Sequence, residues 1–238
     1  MLPKIIAFNG PMASGKDTYS NYYGSILTKK GIKWSKYGLG TPPKREVDFI
    51  LNQIKNGKTK SYICNELLKL EYFNKEDFDK MYDMCFELVG KDPSLTAFNR
   101  TPEIRKILQY WSTDVRRKYN QRYWLDIALK EIKKMSEEYF IITDPRFILE
   151  FDELKKLGGF NVFLKVSKEE QTRRIMKRDG FIPSEETLNH PSELECLRYD
   201  KYDLVIDTEK ETVEVLDRYF QWELVIYSMK KKKMEHLI

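Results

Sequence analysis

"IIAFNGPMASGKDTYSNYYGSIL" runs from Ile5 to Leu27, and its reading decides the fold. Two glycines, Gly10 and Gly15, enclose four residues and lead directly into Lys16. The flanks give the spacing its meaning. Lys4–Phe8 is a short, mostly apolar run of the kind a buried parallel strand shows. Beyond the lysine, Tyr19, Tyr22, Tyr23, Ile26 and Leu27 recur at helical spacing and give one apolar face, and Gly31 ends the pattern. Strand, glycine loop and helix are the context a phosphate-binding loop requires; a bare strand-to-helix turn is the competing reading. In such a loop the backbone N–H groups of Gly10, Ala13, Ser14 and Gly15 and the helix N-terminus cradle phosphate oxygens, while Lys16 reaches the β- and γ-phosphates.

Asp17 stands where Ser or Thr usually ligates Mg²⁺. A carboxylate is also a hard oxygen ligand, directly or through water, so Asp17 is a metal candidate, with Thr18 as the other. Asp at a helix N-terminus has a purely structural explanation too, because it complements the helix dipole.

Composition narrows the class. A chain of 238 residues allows one large domain or two small ones, and 41% hydrophobic with 33% charged residues is ordinary for a soluble globular protein. Three widely spaced cysteines, Cys64, Cys85 and Cys196, form no C-x-x-C pair, which argues against a disulfide framework or zinc site. Two histidines, His190 and His236, are too few for a histidine metal cluster. No apolar run approaches a membrane span, and the first residues read as strand rather than as a signal peptide, so a cytoplasmic enzyme is expected. The net charge of +5 includes the run Lys230–Lys233, read as a solvated helix end; no aromatic-interleaved basic motif accompanies it, so nucleic acid is not the expected partner.

Further along, the pattern alternates. Ile32–Leu39 holds a second short strand, and the proline-led stretch from Thr41 opens a helix carrying Val47, Phe49, Ile50 and Ile54. Residues 57–100 read as a helical insertion around a helix near Lys75–Val89, and Arg100–Met135 as one or two helices. Buried strands follow at "YFIIT", "NVFLKV" and "YDLVIDT", each followed by a helix, the last from about Glu211 to Lys230. Short apolar strands separated by helices imply a parallel sheet covered on both faces.

Two signals fall at positions where such sheets bind ligands, outside the carboxyl ends of strands. Asp144-Pro145-Arg146 follows "YFIIT", placing a carboxylate able to hold Mg²⁺ and a guanidinium able to grip a second phosphate bidentately. A cap and a surface arginine are the alternative. Arg173, Arg174, Lys177 and Arg178 share a helix ahead of "DGFIPSEETLNHPSE", the pattern of a basic lid, with Arg174 and Arg178 as its catalytic candidates.

The middle of the chain resembles the deoxynucleoside monophosphate kinase family of bacteriophages. The resemblance rests on Arg105, Gln109, Thr113-Asp114, Tyr123-Trp124, Asp144, Arg146 and Gly158-Gly159, on the G-x-x-x-S-G-K-D-T form of the loop, and on "TPPK" at Thr41–Lys44. It covers residues 4 to about 225, matches 57–100 poorly, and departs at Ser112, where the family usually has Gly. It implies a P-loop kinase three-layer α/β sandwich spanning 1–238 as one domain, with a helical insertion and a lid at about 173–195. It implies ATP as donor, Mg²⁺ as cofactor, and an acceptor site built from Lys44, Asp114, Arg117 (or Arg116, by a shift of one position), Trp124, Asp144 and Arg146. The host cytoplasm is the implied location for a phage-encoded member, and a homodimer is left open. Two other readings stand beside it: a kinase of another small acceptor such as a coenzyme precursor, and a P-loop protein acting on nucleic-acid ends or binding nucleic acid.

Overall fold

A computed structural model describes residues 4–69 and 73–220. The chain divides into two compact units, Met1–Gly38 with Lys134–Arg178 and Glu193–Ile238, and Leu39–Lys133 with Asp179–Ser192. The second is wider than the insertion expected at 57–100.

The first unit is built on a five-stranded sheet. Its strands are β1 (Ile5–Asn9), β2 (Trp34–Gly38), β3 (Tyr139–Thr143), β4 (Phe160–Lys165) and β5 (Leu204–Asp207), in the order β2-β3-β1-β4-β5. Every pairing is parallel, and the register sets Phe8 beside Thr143 and Asn9 beside Phe163. Because side chains alternate across a strand, the sheet feeds two cores. Ile6, Phe8, Ile141, Val162, Leu164 and Ile206 pack on one face with Tyr23 and Leu27 of α1 (Lys16–Lys29). On the other face, Phe163 packs with Phe151 of α7 (Ile148–Lys156) and with Cys196 of α10 (Pro191–Arg198), joined by Tyr199 and Tyr202. Helix α8 (Lys168–Asp179) follows β4. Gly24 lies inside α1 for a packing reason: a Cβ there would meet the Trp34 indole at 2.4 Å. The expected strands and the parallel α/β sheet are all present. Residues 215–220 are helical, and the continuation expected to Lys230, with the Lys230–Lys233 run and His236, lies outside the described residues.

The second unit is helical: α2 (Thr41–Lys55), α3 (Lys60–Leu68), α4 (Lys75–Lys91), α5 (Pro102–Gln109), a π-helical segment (Tyr110–Arg117), α6 (Tyr123–Ile132) and the short α9 (Glu185–Leu188). Thr59, Asn74 and Thr101 cap α3, α4 and α5 by accepting backbone N–H bonds. Val47, Ile50, Leu51, Ile63, Phe78, Met81, Ile104, Trp111 and Trp124 form its core. Buried inside that core is an ion pair. Arg116 is fully buried and donates to Glu46 through Nε at 3.0 Å and Nη2 at 2.5 Å. Trp111 Nε1 and Tyr123 Oη donate to the same carboxylate at 2.7 and 3.1 Å. The guanidinium lies 4.7–4.9 Å from the rings of Phe73, Trp111 and Tyr123. In this environment both Glu46 oxygens are bonded and the cation is covered by aromatic faces.

Candidate active site

The loop after β1 has the backbone its sequence demands. Gly10 takes φ 141°, and a Cβ there would meet Leu164 O at 2.5 Å and Ser14 Oγ at 2.7 Å. That close approach leaves glycine as the residue that fits. Ala13 is also left-handed at φ 58°, and Gly15 at φ 97° turns the chain into α1. Ser14 N donates to Pro11 O at 3.2 Å, which closes the turn. No side chain caps the N-terminus of α1, so its first N–H groups remain available to an anion.

Lys16 folds back over this loop. Its Nζ donates to Gly10 O at 3.0 Å and Pro11 O at 2.9 Å, and stands 3.8 Å from Asp144 Oδ1. Burial lowers its pKa below the usual lysine range, Arg146 pushes the same way, and Asp144 and Glu193 oppose them. Asp144 itself follows β3 at φ 61°, an uncommon conformation for a non-glycine residue that aims its carboxylate at the loop lysine of the neighbouring strand.

Arg146 completes the cluster. Its Nη2 is 3.8 Å from Asp144 Oδ1, and its Nη1 donates to Glu193 Oε1 at 2.7 Å. Burial works against its charge, but the carboxylates of Glu193 and Asp144 outweigh it and raise the pKa further. Glu150 Oε2 accepts from the backbone N–H groups of Arg146 and Phe147 at 2.6 and 3.1 Å, which fixes the chain at the start of α7. The Cys196 thiol is pushed up by burial and drawn down by Arg146 and Lys16.

Among the buried polar atoms of this unit with no hydrogen-bond partner in the described residues are the Asn9 amide, Ser14 Oγ and Glu193 Oε2, at or beside the loop and its cluster, and also Asn161 Oδ1 of β4. Asn9 ends β1 and Ser14 lies within the loop. Unsatisfied buried groups are costly, and they are expected where a ligand supplies the missing partner. A triphosphate fits this set: a left-handed glycine loop, an uncapped helix N-terminus, a lysine and an orphaned hydroxyl. For Mg²⁺, Asp144 is the carboxylate beside Lys16.

Other expected residues are placed differently. Asp17 is 71% exposed and pairs with Lys36 of β2 at 2.8 Å, an arrangement that accounts for it without a metal; Lys36 also bonds Asn21 at 3.0 Å. Thr18 is exposed. Arg174 binds Glu170 at 2.8 Å and donates to Thr208 Oγ1 and O at 2.9 Å each, which ties α8 to the end of β5. Arg173 also bonds Glu170, and Arg178 is exposed.

The remaining acceptor candidates belong to the helical unit. Lys44 Nζ lies 5.9 Å from the Phe98 ring centre, Asp114 faces His190 at 3.4 Å, and Arg117 Nη1 donates to Gln121 O at 3.0 Å. Trp124 is buried, with its indole N–H bonded to Ser112 O at 2.9 Å, so its ring is core and presents no open face for stacking. Arg105 pairs with Asp179 at 2.6 Å, and Gln109 Nε2 donates to Thr187 O at 3.0 Å; both bonds hold the 179–192 segment within this unit. Glu193 was missed in the sequence. It closes the stretch read as part of a lid, with no role of its own there, and only the fold brings it to Arg146.

No protein-family model matches the chain, and no curated protein matches it. Solved structures similar to it include TT1252 from Thermus thermophilus, 19% identical over 94% of this chain and 97% of that one, with a TM-score of 0.44. A gluconokinase from Sinorhizobium meliloti 1021 is 16% identical over 98% and 97%, with a TM-score of 0.44. A shikimate kinase from Acinetobacter baumannii in complex with shikimate is 14% identical over 94% and 93%, with a TM-score of 0.39.

Proposed function

We propose that this chain, read as one nucleotide-kinase domain, transfers the γ-phosphoryl group of ATP to a deoxynucleoside monophosphate. The observation that carries the proposal is the cluster of Lys16, Asp144 and Arg146 at the carboxyl ends of adjacent parallel strands, set against a glycine loop and an uncapped helix N-terminus. The loop N–H groups and Lys16 hold the donor phosphates. Asp144 would hold Mg²⁺, which when bound would neutralise phosphate charge. Arg146 offers a planar fork to the acceptor phosphate, and Arg178 is the lid arginine. Arg174 is assigned to holding the end of β5, because Thr208 and Glu170 occupy its donors. No general base is required, since the attacking phosphate oxygen is already ionised.

The test is ADP release from Mg-ATP with each of the four deoxynucleoside and four ribonucleoside monophosphates, alongside dephospho-coenzyme A and a 5′-hydroxyl oligonucleotide. Rapid turnover with at least one deoxynucleotide is expected. Silence on all eight nucleotides would overturn the acceptor assignment, and turnover on either control would name its replacement.

A further inference from the structure

We propose that Glu193 determines what the acceptor site accepts: its carboxylate occupies the anion position of Arg146, so that a phosphate dianion displaces it and a simple carboxylate does not. The inference rests on the reading of Arg146 as the acceptor-phosphate group and adds a selectivity that this reading does not contain.

Glu193 Oε1 sits 2.7 Å from Arg146 Nη1, the distance of a charge-assisted hydrogen bond. The pair is built asymmetrically. Arg146 keeps a 24% exposed side chain that a ligand can reach, whereas the Glu193 side chain is 9% exposed. Among the described residues Glu193 Oε2 has no hydrogen-bond partner, so the carboxylate is held through one oxygen and the pair is incompletely satisfied. The buried Arg116–Glu46 pair, by contrast, has both carboxylate oxygens bonded. Charge points the same way. Lys16 and Arg146 face Asp144 and Glu193, so the cluster is balanced before any phosphate arrives. An incoming phosphate brings its own negative charge to Arg146 and makes that of Glu193 redundant.

Tethering explains the selectivity. A carboxylate fixed in the fold competes at an effective concentration on the order of millimolar or higher. A free monocarboxylate offers Arg146 the same chemistry without that advantage and loses. A phosphate dianion carries more charge and more acceptor oxygens, and it wins. Neutral polyols lack the charge altogether.

The experiment is calorimetric titration with inorganic phosphate and with acetate, on the alkaline side of neutrality and in saturating ADP so that the loop is filled. The proteins are the wild type, Glu193→Gln, Arg146→Ala and the double variant. Glu193→Gln should bind phosphate about three- to tenfold more tightly than wild type and gain measurable acetate binding, the scale of one partly exposed ion pair released. Both gains should vanish in the Arg146→Ala background. Glu193→Asp, which withdraws the carboxylate by one methylene, should move phosphate affinity in the same direction and serves where the glutamine variant folds poorly. Unchanged or weaker phosphate binding in Glu193→Gln overturns the proposal, because a glutamate that merely positions Arg146 predicts that sign. Failure of the kinase assay with tighter phosphate binding in Glu193→Gln would reject the nucleotide assignment and leave the selectivity standing.

Discussion

Each compact unit contains an arginine paired with a glutamate, and the two pairs are opposites. Arg116 and Glu46 are sealed in the helical core, with every carboxylate oxygen engaged and three aromatic rings around the guanidinium. Arg146 and Glu193 lie beside the glycine loop, where one carboxylate oxygen has no partner among the described residues and the arginine is reachable from solvent. Sequence composition distinguishes neither arginine. The difference lies in what surrounds the charge: a fully satisfied buried network specifies structure, and a partly satisfied one near a strand end marks a place for a ligand.

The largest effect should come from breaking the sealed pair. Arg116→Ala leaves Glu46 buried without its cation, and removing one partner of such a pair costs about 3–5 kcal/mol. Urea unfolding should show that loss as a lower midpoint with an unchanged slope. A shift under about 1 kcal/mol would mean that apolar packing, rather than the ion pair or its cation–π contacts, holds this core. Lys16→Ala is the counterpart in the sheet unit. It should leave the midpoint nearly unchanged and lower kcat by about 10²–10³-fold, the usual loss for one donor aimed at developing charge. Near-normal turnover would remove Lys16 from the chemistry.

How much of this was legible follows from how local each feature is. The β1–loop–α1 unit was readable because strand, glycines, lysine and helix face lie within one short stretch, and Asp144 and Arg146 were readable as the end of an apolar strand. The strand order was not written in any motif, although the parallel α/β class was. The Arg116–Glu46 pair was invisible because its partners sit on different helices of the chain. The register was misleading as well. Tyr110–Arg117 is π-helical, so the turn is wider than 3.6 residues and a helical projection slips by about one position. The resemblance left Arg117 and Arg116 open as the acceptor contact, and Arg116 is the one of the two that turns inward, onto Glu46. Trp124 is a different case: the resemblance implies an acceptor-site role, and its buried indole places it in the helical core.

A weaker effect should separate the open pair from the sealed one. Glu193 is as enclosed as Glu46, but the Arg146 guanidinium is 24% exposed where that of Arg116 is fully buried, so its removal admits water to the carboxylate and a stability loss of about 1–3 kcal/mol is expected, less than for Arg116→Ala. Its main signature should be kinetic. KM for the nucleoside monophosphate should rise about tenfold or more while kcat falls less, the pattern of lost ground-state positioning. Equal stability losses at both arginines, with KM unchanged, would erase the distinction between the two regions.

The smallest effect is expected at Asp17, the residue that first made the loop look unusual. If its carboxylate ligates Mg²⁺, Asp17→Asn should raise the metal concentration needed for half-maximal turnover. The geometry argues otherwise: Asp17 is exposed and paired with Lys36, while Asp144 is the carboxylate beside Lys16. An exposed ion pair contributes about 0–1 kcal/mol, and Asn preserves the shape of the side chain at the start of α1. Asp17→Asn should therefore leave the Mg²⁺ dependence of turnover unchanged and lower stability by no more than about 0.5 kcal/mol. Asp144→Asn, measured beside it, should raise the Mg²⁺ requirement clearly. If the two variants exchange these behaviours, the metal belongs to the helix N-terminus, and Lys36 becomes the counter-ion that must move aside to admit it.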